Sequence, residues 1–472
     1  MTQAVAPSLL DRIRGLAKSW LDLASAARSG ETLALAPHLP DDDRDRLRRQ
    51  LQACLEGKGG EVSARARAAA LGREYLALSA EGRRRFLSLI AAEFGPDPEM
   101  VDRAVDALRA AAPQARAEAE RRLRDALEPP RLRLLTQFTA LPQGVRFLVD
   151  LRAELAGMIG GDSGLGVLEG DLRELLTAWF DVGFLELRRL TWSSPALVLE
   201  KLIQYEAVHA IHGWDDLKNR LDSDRRLYGF FHPRMPDEPL IFVEVALVQG
   251  LAGDVQQLLD LEAPLGDPEA ADTAIFYSIT NAQRGLNGIS FGNFLIKRVV
   301  EELRREFKNL RTFATLSPLP GLRRWLEGRL AAGEPGLLTA TEHRALARVS
   351  EGLAAKGSLR ALLAHPDCVN DPLDGEALRG PLMRLAARYL VEERSKDGRR
   401  ALDPVAHFHL SNGARVERLN WRADTSDKGL AQACGLMVNY LYRLDDIEDN
   451  HEAYAGRGKV AVSPTVKALL KG

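Results

Sequence analysis

The chain has 472 residues, 46% hydrophobic and 28% charged, with 64 basic against 66 acidic side chains and a formal net charge of −2. That length exceeds what one hydrophobic core commonly serves, so two domains are expected, and the apolar content excludes a disordered chain. The near-neutral balance leaves no footprint for nucleic acid or an anionic membrane, so an anionic ligand needs a local site.

The segment Met1 to Trp20 carries Asp11, Arg12, Arg14 and Lys18 among its apolar residues. No uninterrupted apolar stretch follows, as a secretory signal requires, and Asp11 and Asp22 count against a mitochondrial presequence. Up to Leu141 the periodicity reads as helix throughout. Leu9, Leu10, Ile13 and Leu16 form one apolar stripe. Phe86, Leu87, Leu89 and Ile90 form another, in a segment from Ser79 to Gly95-Pro96. Val101, Val105 and Leu108 continue the pattern until Pro113, which breaks or restarts the helix. The run Asp41-Asp42-Asp43 reads as a solvated helix start, where carboxylates face the positive end of the dipole.

Helical stretches persist beyond Leu141-Pro142, over Leu172 to Arg189 and Ala196 to Val208. Leu240 to Val248 then reads as a buried strand, and the apolar run around it, Pro239 to Ala252, is interrupted by Glu244 and too short to span a bilayer. Gly250-Leu-Ala-Gly253 opens a helix through Val255, Leu258 and Leu259. Thr273 to Thr280 is a second strand, Phe294 to Phe307 an amphipathic helix, and Thr312 to Ser317 a third strand stopped by Pro318 and Pro320. Helix returns over 321–400 as an insertion. Phe408 to Ser411 and Ala414 to Trp421 flank Asn412-Gly413, which predicts a β-hairpin. Cys54, Cys368 and Cys434 lie far apart without CxxC spacing, which argues against disulfides and zinc and fits a reducing compartment. The architecture is thus multi-domain: an all-α helical bundle followed by an α+β domain, with the cytoplasm as the expected compartment.

Several groupings can carry chemistry. In the strand-glycine-helix unit ending at Leu259, backbone N–H groups approached through Gly250 and Gly253 can hold a phosphate, and a tight turn explains the same glycines. The spacing matches neither a P-loop nor a dinucleotide fingerprint. Gln283-Arg-Gly-Leu-Asn-Gly288 is a second such turn; Arg284 can pair with an oxyanion there, or the glycines serve close packing. Strict alternation along the second strand puts Ile275, Tyr277 and Ile279 on one face and Phe276, Ser278 and Thr280 on the other. His407 and His409, two apart on a predicted strand, share a face; either suits proton transfer, and no third ligand for a metal is evident. Glu244 inside a buried strand needs a partner, a site to face, or exposure at a sheet edge. His209, His212 and Trp214 are explained as readily by helix packing.

Several longer runs stand together in order. Phe276-Tyr-Ser-Ile279, Gln283-Arg-Gly-Leu286, Phe294-Leu-Ile-Lys-Arg-Val-Val300 and Leu316-Ser-Pro-Leu-Pro-Gly321 are followed by Phe408-His-Leu410, Asn412-Gly413, Asn420-Trp421, Ala423-Asp424 and Cys434-Gly-Leu-Met437-Val-Asn-Tyr440. From Leu172 to Tyr442 the chain resembles the malonyl-CoA decarboxylase family. The resemblance implies an N-terminal helical oligomerisation domain, 1–141, and an acyl-CoA-binding catalytic domain, 142–472, similar to the GNAT acetyltransferase fold. It implies conversion of malonyl-CoA to acetyl-CoA and CO2 without cofactor or metal, in a homo-oligomer (dimer or tetramer) with no nucleic-acid or membrane partner. Ser278 and His409 would be the catalytic pair, with His407 second to His409, and Tyr440 and Tyr442 would line the same cleft. The turn of Gly250, Leu251, Ala252, Gly253, Asp254, Val255 and Gln256 falls where that fold holds the CoA pyrophosphate. Ser278 would fix the carboxylate or thioester and His409 would deliver the proton to C2. The competing readings are an acyl-CoA-dependent acyltransferase and a non-catalytic acyl-CoA sensor.

Overall fold

The computed structural model describes residues 34–57, 61–289, 294–349, 359–363, 368–396 and 398–471. The stripe expected at Leu9 to Leu16 lies outside them. The chain divides into two compact units, one of Met1–Glu186 with Phe231–Pro239 and Gln283–Phe291, the other of Leu187–Phe230, Leu240–Ala282 and Gly292–Gly472.

The first unit's main segment is helical over its described residues: α1 (Asp41–Leu55), α2 (Glu61–Ala77), α3 (Ala80–Glu93), α4 (Pro98–Ala110), α5 (Arg116–Leu127), α6 (Pro130–Gln137), α7 (Gly144–Met158) and α8 (Ser163–Trp179). The three aspartates open α1. Ser79 caps α3, accepting from Gly82 N at 3.2 Å, and the Phe86 to Ile90 stripe is buried. At Pro113 a 3-10 turn intervenes and the chain restarts as α5. Leu148, Leu151 and Leu155 of α7 and Leu165, Leu168, Leu172 and Leu176 of α8 are buried stripes at helical spacing. These two helices belong with the earlier ones, so the helical unit continues past Leu141 to Glu186. The helix expected to run on to Arg189 stops at Trp179. A turn at Asp181 follows, its carboxylate accepting from Gly183 N, and the chain then becomes a strand.

A mixed sheet, most of whose residues fall in the second unit, consists of β1 (Glu186–Leu190), β2 (Arg225–His232), β3 (Met235–Val248), β4 (Thr273–Asn281), β5 (Thr312–Thr315), β6 (Ser317–Pro318), β7 (Arg415–Asn420) and β8 (Met437–Leu441). The order is β1-β2-β3-β4-β5-β8-β6, with β7 also on β8. The β4–β5 pairing is parallel, while β3–β4, β5–β8, β6–β8 and β7–β8 are antiparallel. Helices α9 (Ala196–Tyr205), α10 (Trp214–Arg220), α11 (Val255–Leu259) and α12 (Phe294–Glu306) accompany it. The inserted helices are α13 (Leu322–Ala331), α14 (Ala340–Val349), α15 (Leu359–Leu363) and α16 (Pro372–Val391), followed by α17 (Pro404–Ser411), α18 (Asp427–Ala433), α19 (Ile447–Arg457) and α20 (Pro464–Leu469).

The predicted hairpin around Asn412-Gly413 is half right in position and wrong in kind. Its second arm is β7, but Phe408 to Ser411 is the last turn of helix α17. Asp403 and Pro404 supply a strong helix start: the Asp403 carboxylate accepts from Val405 N and Ala406 N, and proline takes the first helical position. Asn412 and Gly413, the latter at φ +77°, end the helix, the other use of residues that tolerate left-handed backbone.

Candidate active site

A bulge decides which side of the sheet Ser278 serves. Ala246 and Ile275 are register partners and both lie in the apolar cluster with Val255, Leu258, Ala314 and Leu316. The next pair, Val245 and Phe276, points to the other side. Glu244 then pairs with Ser278, and Tyr277 is skipped. Because β3 alternates without interruption, Glu244 returns to the side of the cluster, and Ser278 with it. Strict alternation along β4 would have left Ser278 beside Phe276.

On that side Ser278 donates to Glu206 Oε1 and Oε2, both at 2.9 Å, and Thr280 donates to Oε2 at 3.0 Å. Glu206 Oε1 also accepts from Val208 N and His209 N, at 2.7 and 2.8 Å. Glu244 is fully buried and accepts from Arg220 Nη1 at 3.0 Å, while the same guanidinium grips Asp216 through Nε at 2.8 Å. Glu244 therefore sits in the sheet interior with a cation, not at an exposed edge. Burial first, then the charge of Glu206, pushes its carboxyl up to about 8. Burial likewise pushes neighbouring His209 down to about 4.

His409 occupies the opposite side. Ala314, Leu316 and Met437 belong to the apolar cluster and Leu441 packs against it, so Thr315, Tyr440 and Tyr442 alternate away from it. His409 comes to this side from α17. Its Nδ1 lies 2.7 Å from the Tyr442 hydroxyl, its Nε2 lies 3.1 Å from Ser317 Oγ, and its ring stacks on Tyr440 at 4.5 Å. Ser317 donates to Thr315 Oγ1 at 2.8 Å, and that oxygen also accepts from Tyr440 N at 3.1 Å. With the Ser317 proton directed at Thr315, Nε2–H of His409 donates to Ser317 and Nδ1 accepts from Tyr442. Complete burial pushes the imidazole down to about 3, so it is neutral near pH 7.

Ser278 and His409 are thus not brought together. Among the described residues the imidazole's hydrogen-bond partners are Ser317 and Tyr442, and the hydroxyl expected from Ser278 is supplied by Ser317. The signal for Ser317 lay in the sequence, in the run Leu316-Ser-Pro-Leu-Pro-Gly321 that was quoted for the family without singling out its serine. His407, two residues along a helix, turns elsewhere and meets Tyr454 Oη at 2.9 Å and Ser411 Oγ at 3.3 Å.

In the turn from Gly250 to Gln256 three of the seven backbone N–H groups have partners among the described residues, those of Gly250, Val255 and Gln256. Gly250 N donates to Asp272 Oδ1 and Val255 N to Ala423 O, both at 2.8 Å, and Asp254 accepts from Gln256 N and Gln257 N. Arg418 and Asn439 hold the carbonyls of Leu251 and Ala252. A Cβ on Gly253 would come within 2.8 Å of Asn420 Oδ1. The helix it opens has only five residues, and the Asp254 carboxylate already occupies its start. Packing explains Gly253, and the anionic cap opposes phosphate at the helix start itself. In the second turn a Cβ on Gly285 would lie 1.8 Å from Val149 O, so close approach to α7 demands that glycine. Among the described residues no group of three His, Cys, Asp or Glu side chains could hold a metal ion, and no helix is long and apolar enough to cross a membrane. Cys54, Cys368 and Cys434 are buried and free.

Comparison with known proteins agrees with the runs quoted above. The family model described as malonyl-CoA decarboxylase C-terminal domain matches residues 183–472, and that of the N-terminal domain matches 94–180. The chain is 39% identical over 421 residues to the mitochondrial malonyl-CoA decarboxylase of Anser anser anser, covering 86% of this chain and 83% of the relative. It is 42% identical over 365 residues to that of Rattus norvegicus, covering 75% and 73%. The crystal structure of malonyl-CoA decarboxylase from Rhodopseudomonas palustris superimposes with a TM-score of 0.82 at 44% identity, covering 90% of this chain and 99% of that one. The structure from Agrobacterium vitis gives 0.81 at 42%, with the same coverage. With both domain models matched in order, and relatives aligned across most of its length, the chain belongs to the malonyl-CoA decarboxylase family.

Proposed function

We propose that this chain, a carboxy-lyase that converts malonyl-CoA to acetyl-CoA and CO2, does so at His409, with Ser317 and Tyr442 as its partners. One observation carries the assignment: a buried imidazole held between two hydroxyls, with a ring stacked on its face.

Loss of CO2 moves the electron pair of the C2–carboxyl bond into the thioester, giving an enolate, and the thioester itself is the electron sink. The reaction then needs the carboxylate held out of the thioester plane, the enolate oxygen stabilised, and C2 protonated. With substrate bound, the Ser317 hydroxyl turns its proton from Thr315 Oγ1 to a carboxylate or thioester oxygen of the substrate, which frees Nε2–H of His409 to face C2. His409 Nε2–H supplies the proton to C2, and the Tyr442 hydroxyl passes its proton to Nδ1. Tyr442, which lines an open cleft, regains a proton from solvent, so one proton is consumed per turnover, and the site returns to its starting state once the neutral ring carries its proton on Nε2 again. An enolate is basic enough to take a proton from a neutral donor.

The GNAT-like placement of acyl-CoA along the parallel β4–β5 pair is supported by the end of that ladder at Phe276 and Thr315, beyond which Ser317 pairs with β8. Ser278 in this scheme holds β4 through Glu206 and does not touch the reacting atoms. A homo-oligomer built through the helical domain is supported by α4, which buries no residue of its own, and by the exposure of Met100 and Leu127. Light scattering on the purified chain tests it. The free cysteines support a reducing compartment, and cell fractionation decides between the cytoplasm and the mitochondrial address in the names of the animal relatives.

The deciding experiment follows acetyl-CoA and CO2 together from malonyl-CoA in metal-free, cofactor-free buffer. Equimolar products are expected, with kcat reduced ~100-fold or more in His409→Asn and in Ser317→Ala. Near-normal turnover in either folded variant removes that residue from the mechanism. Loss of turnover in Ser278→Ala, with Ser317→Ala active, returns the role to Ser278.

A further inference from the structure

At the start of β5 and the end of β8 a cleft of about 470 Å³ is lined by Arg304, Arg311, Arg415 and Arg443, together with Tyr442 and Asp445. The four guanidiniums come from four places in the fold: α12, the loop into β5, the start of β7 and the turn after β8. Two are neutralised locally, Arg415 by Glu417 at 2.5 Å and Arg443 by Asp446 at 3.3 Å. Among the described residues Arg304 and Arg311 have no carboxylate within ion-pair distance. Asp272 is near Arg311, but its Oδ1 is already committed to Gly250 N and the Thr273 hydroxyl.

Guanidiniums gathered in one concavity repel one another, and that cost falls when an oxyanion sits among them. Their planar forks match phosphoryl and carboxyl groups. Asp445 is the acidic lining residue set against Arg304 and Arg311, the two guanidiniums without an ion pair among the described residues, and the volume exceeds what a single oxyanion fills. The acyl-CoA mechanism above uses none of the four.

We infer that this cleft is a second ligand site, taking a small polyanion with two or more adjacent oxyanion groups, and that it is filled independently of acyl-CoA. The ligand's groups are phosphoryl or carboxyl, and the probes below tell them apart. Tyr442 links the two places, since the residue lines the cleft while its hydroxyl holds His409.

The test is isothermal titration of the full-length protein with inorganic pyrophosphate and, separately, with citrate, each repeated in saturating acetyl-CoA. One of the two binds at one equivalent per chain, with unchanged affinity when acetyl-CoA is present, and which one binds names the ligand chemistry. Arg304→Ala and Arg311→Ala each weaken that binding ~10-fold or more, since each removes charge-assisted hydrogen bonds. Arg304→Lys and Arg311→Lys keep the charge but lose the fork, and fall between. Both arginines are exposed, so these variants keep their melting temperature. No binding of either probe at millimolar concentration overturns the inference. So does binding that survives the Arg304→Ala/Arg311→Ala double change, and so does displacement by acetyl-CoA, which would make the cleft part of the substrate site.

Discussion

At the residue level the two sides of β4 respond to pH in opposite directions. His409 titrates near 3 in the folded chain against an ordinary 6.5, so its contribution to stability is present above about pH 6.5 and is lost as pH falls toward 3. Glu244 goes the other way. Its folded value of about 8 stands above the ordinary 4.5, so its contribution is present below 4.5 and is lost as pH rises through 8. Glu244→Gln keeps a neutral group in the same place and should flatten the decline of the urea midpoint between pH 5 and 8, leaving the acid decline intact. An unchanged alkaline slope would mean that Glu244 is ionised beside Arg220. For His409 the direct measurement is the 15N shift of its ring nitrogens. They should hold the pattern of one protonated and one bare nitrogen from pH 5 to 8, with Nε2 protonated. Imidazolium signals in that range would replace the neutral relay with a cationic acid.

Among the elements, α17 shows how a short helix is made to deliver one side chain. Asp403 caps it through Val405 N and Ala406 N at 2.9 Å and accepts from the Tyr389 hydroxyl at 3.1 Å, so the helix start is tied to α16. His409 lies near the other end. Asp403→Ala should cost about 0.5–2 kcal/mol in stability, the range for a lost cap, and should lower kcat more than it raises KM. Asp403→Asn, which still caps, should recover most of both. Equal losses in the two variants would mean that charge on Asp403, not capping, is what matters. The same helix marks a limit of local reading. Asp403-Pro404 starts a helix, yet Asn412-Gly413 fits a hairpin turn and a helix end equally well, and only the partner strand separates them. Helices α3 and α12 and strands β3 and β4 were readable because their apolar patterns are long. The bulge at Tyr277 was not, because register belongs to a strand pair: nothing in Phe276-Tyr-Ser-Ile279 records that β3 will pass over Tyr277. Ser278 entered as the partner of His409 through the family resemblance, and the skipped residue turns it to the other side of the sheet.

On the scale of the whole chain, a helical part followed by an α+β part was legible, but its expected boundary at Leu141 falls short of Glu186, and the path of the chain through the first unit was not legible. That unit takes in two later pieces, Phe231–Pro239 and Gln283–Phe291. Within it Arg146 of α7 pairs with Glu238, Arg152 donates to Gly285 O at 2.6 Å and Asn287 O at 3.0 Å, and Gln283 Nε2 reaches Pro239 O at 3.0 Å. Leu286 is fully buried and Gly285 lies against Val149 O. Contacts so distant in sequence leave no periodic trace. They also make a linear cut costly. A fragment of residues 187–472 contains the described parts of the sheet and the His409 site, but it strips two segments of the helices they pack on and leaves Leu286 and their backbone carbonyls uncovered. Exposed apolar surface and unpaired buried groups of this kind destabilise a fold by several multiples of about 1 kcal/mol. The fragment should therefore aggregate or show no cooperative melt by circular dichroism, and adding the separately expressed segment 34–186 during refolding should restore a melt and decarboxylase activity. A soluble 187–472 fragment with normal turnover would show that the two later pieces hold their shape without the helices. The Gly285→Ala change probes the same packing in the intact chain: overpacking against Val149 O should cost about 1–3 kcal/mol, lowering the melting temperature while leaving the neutral state of His409 unchanged.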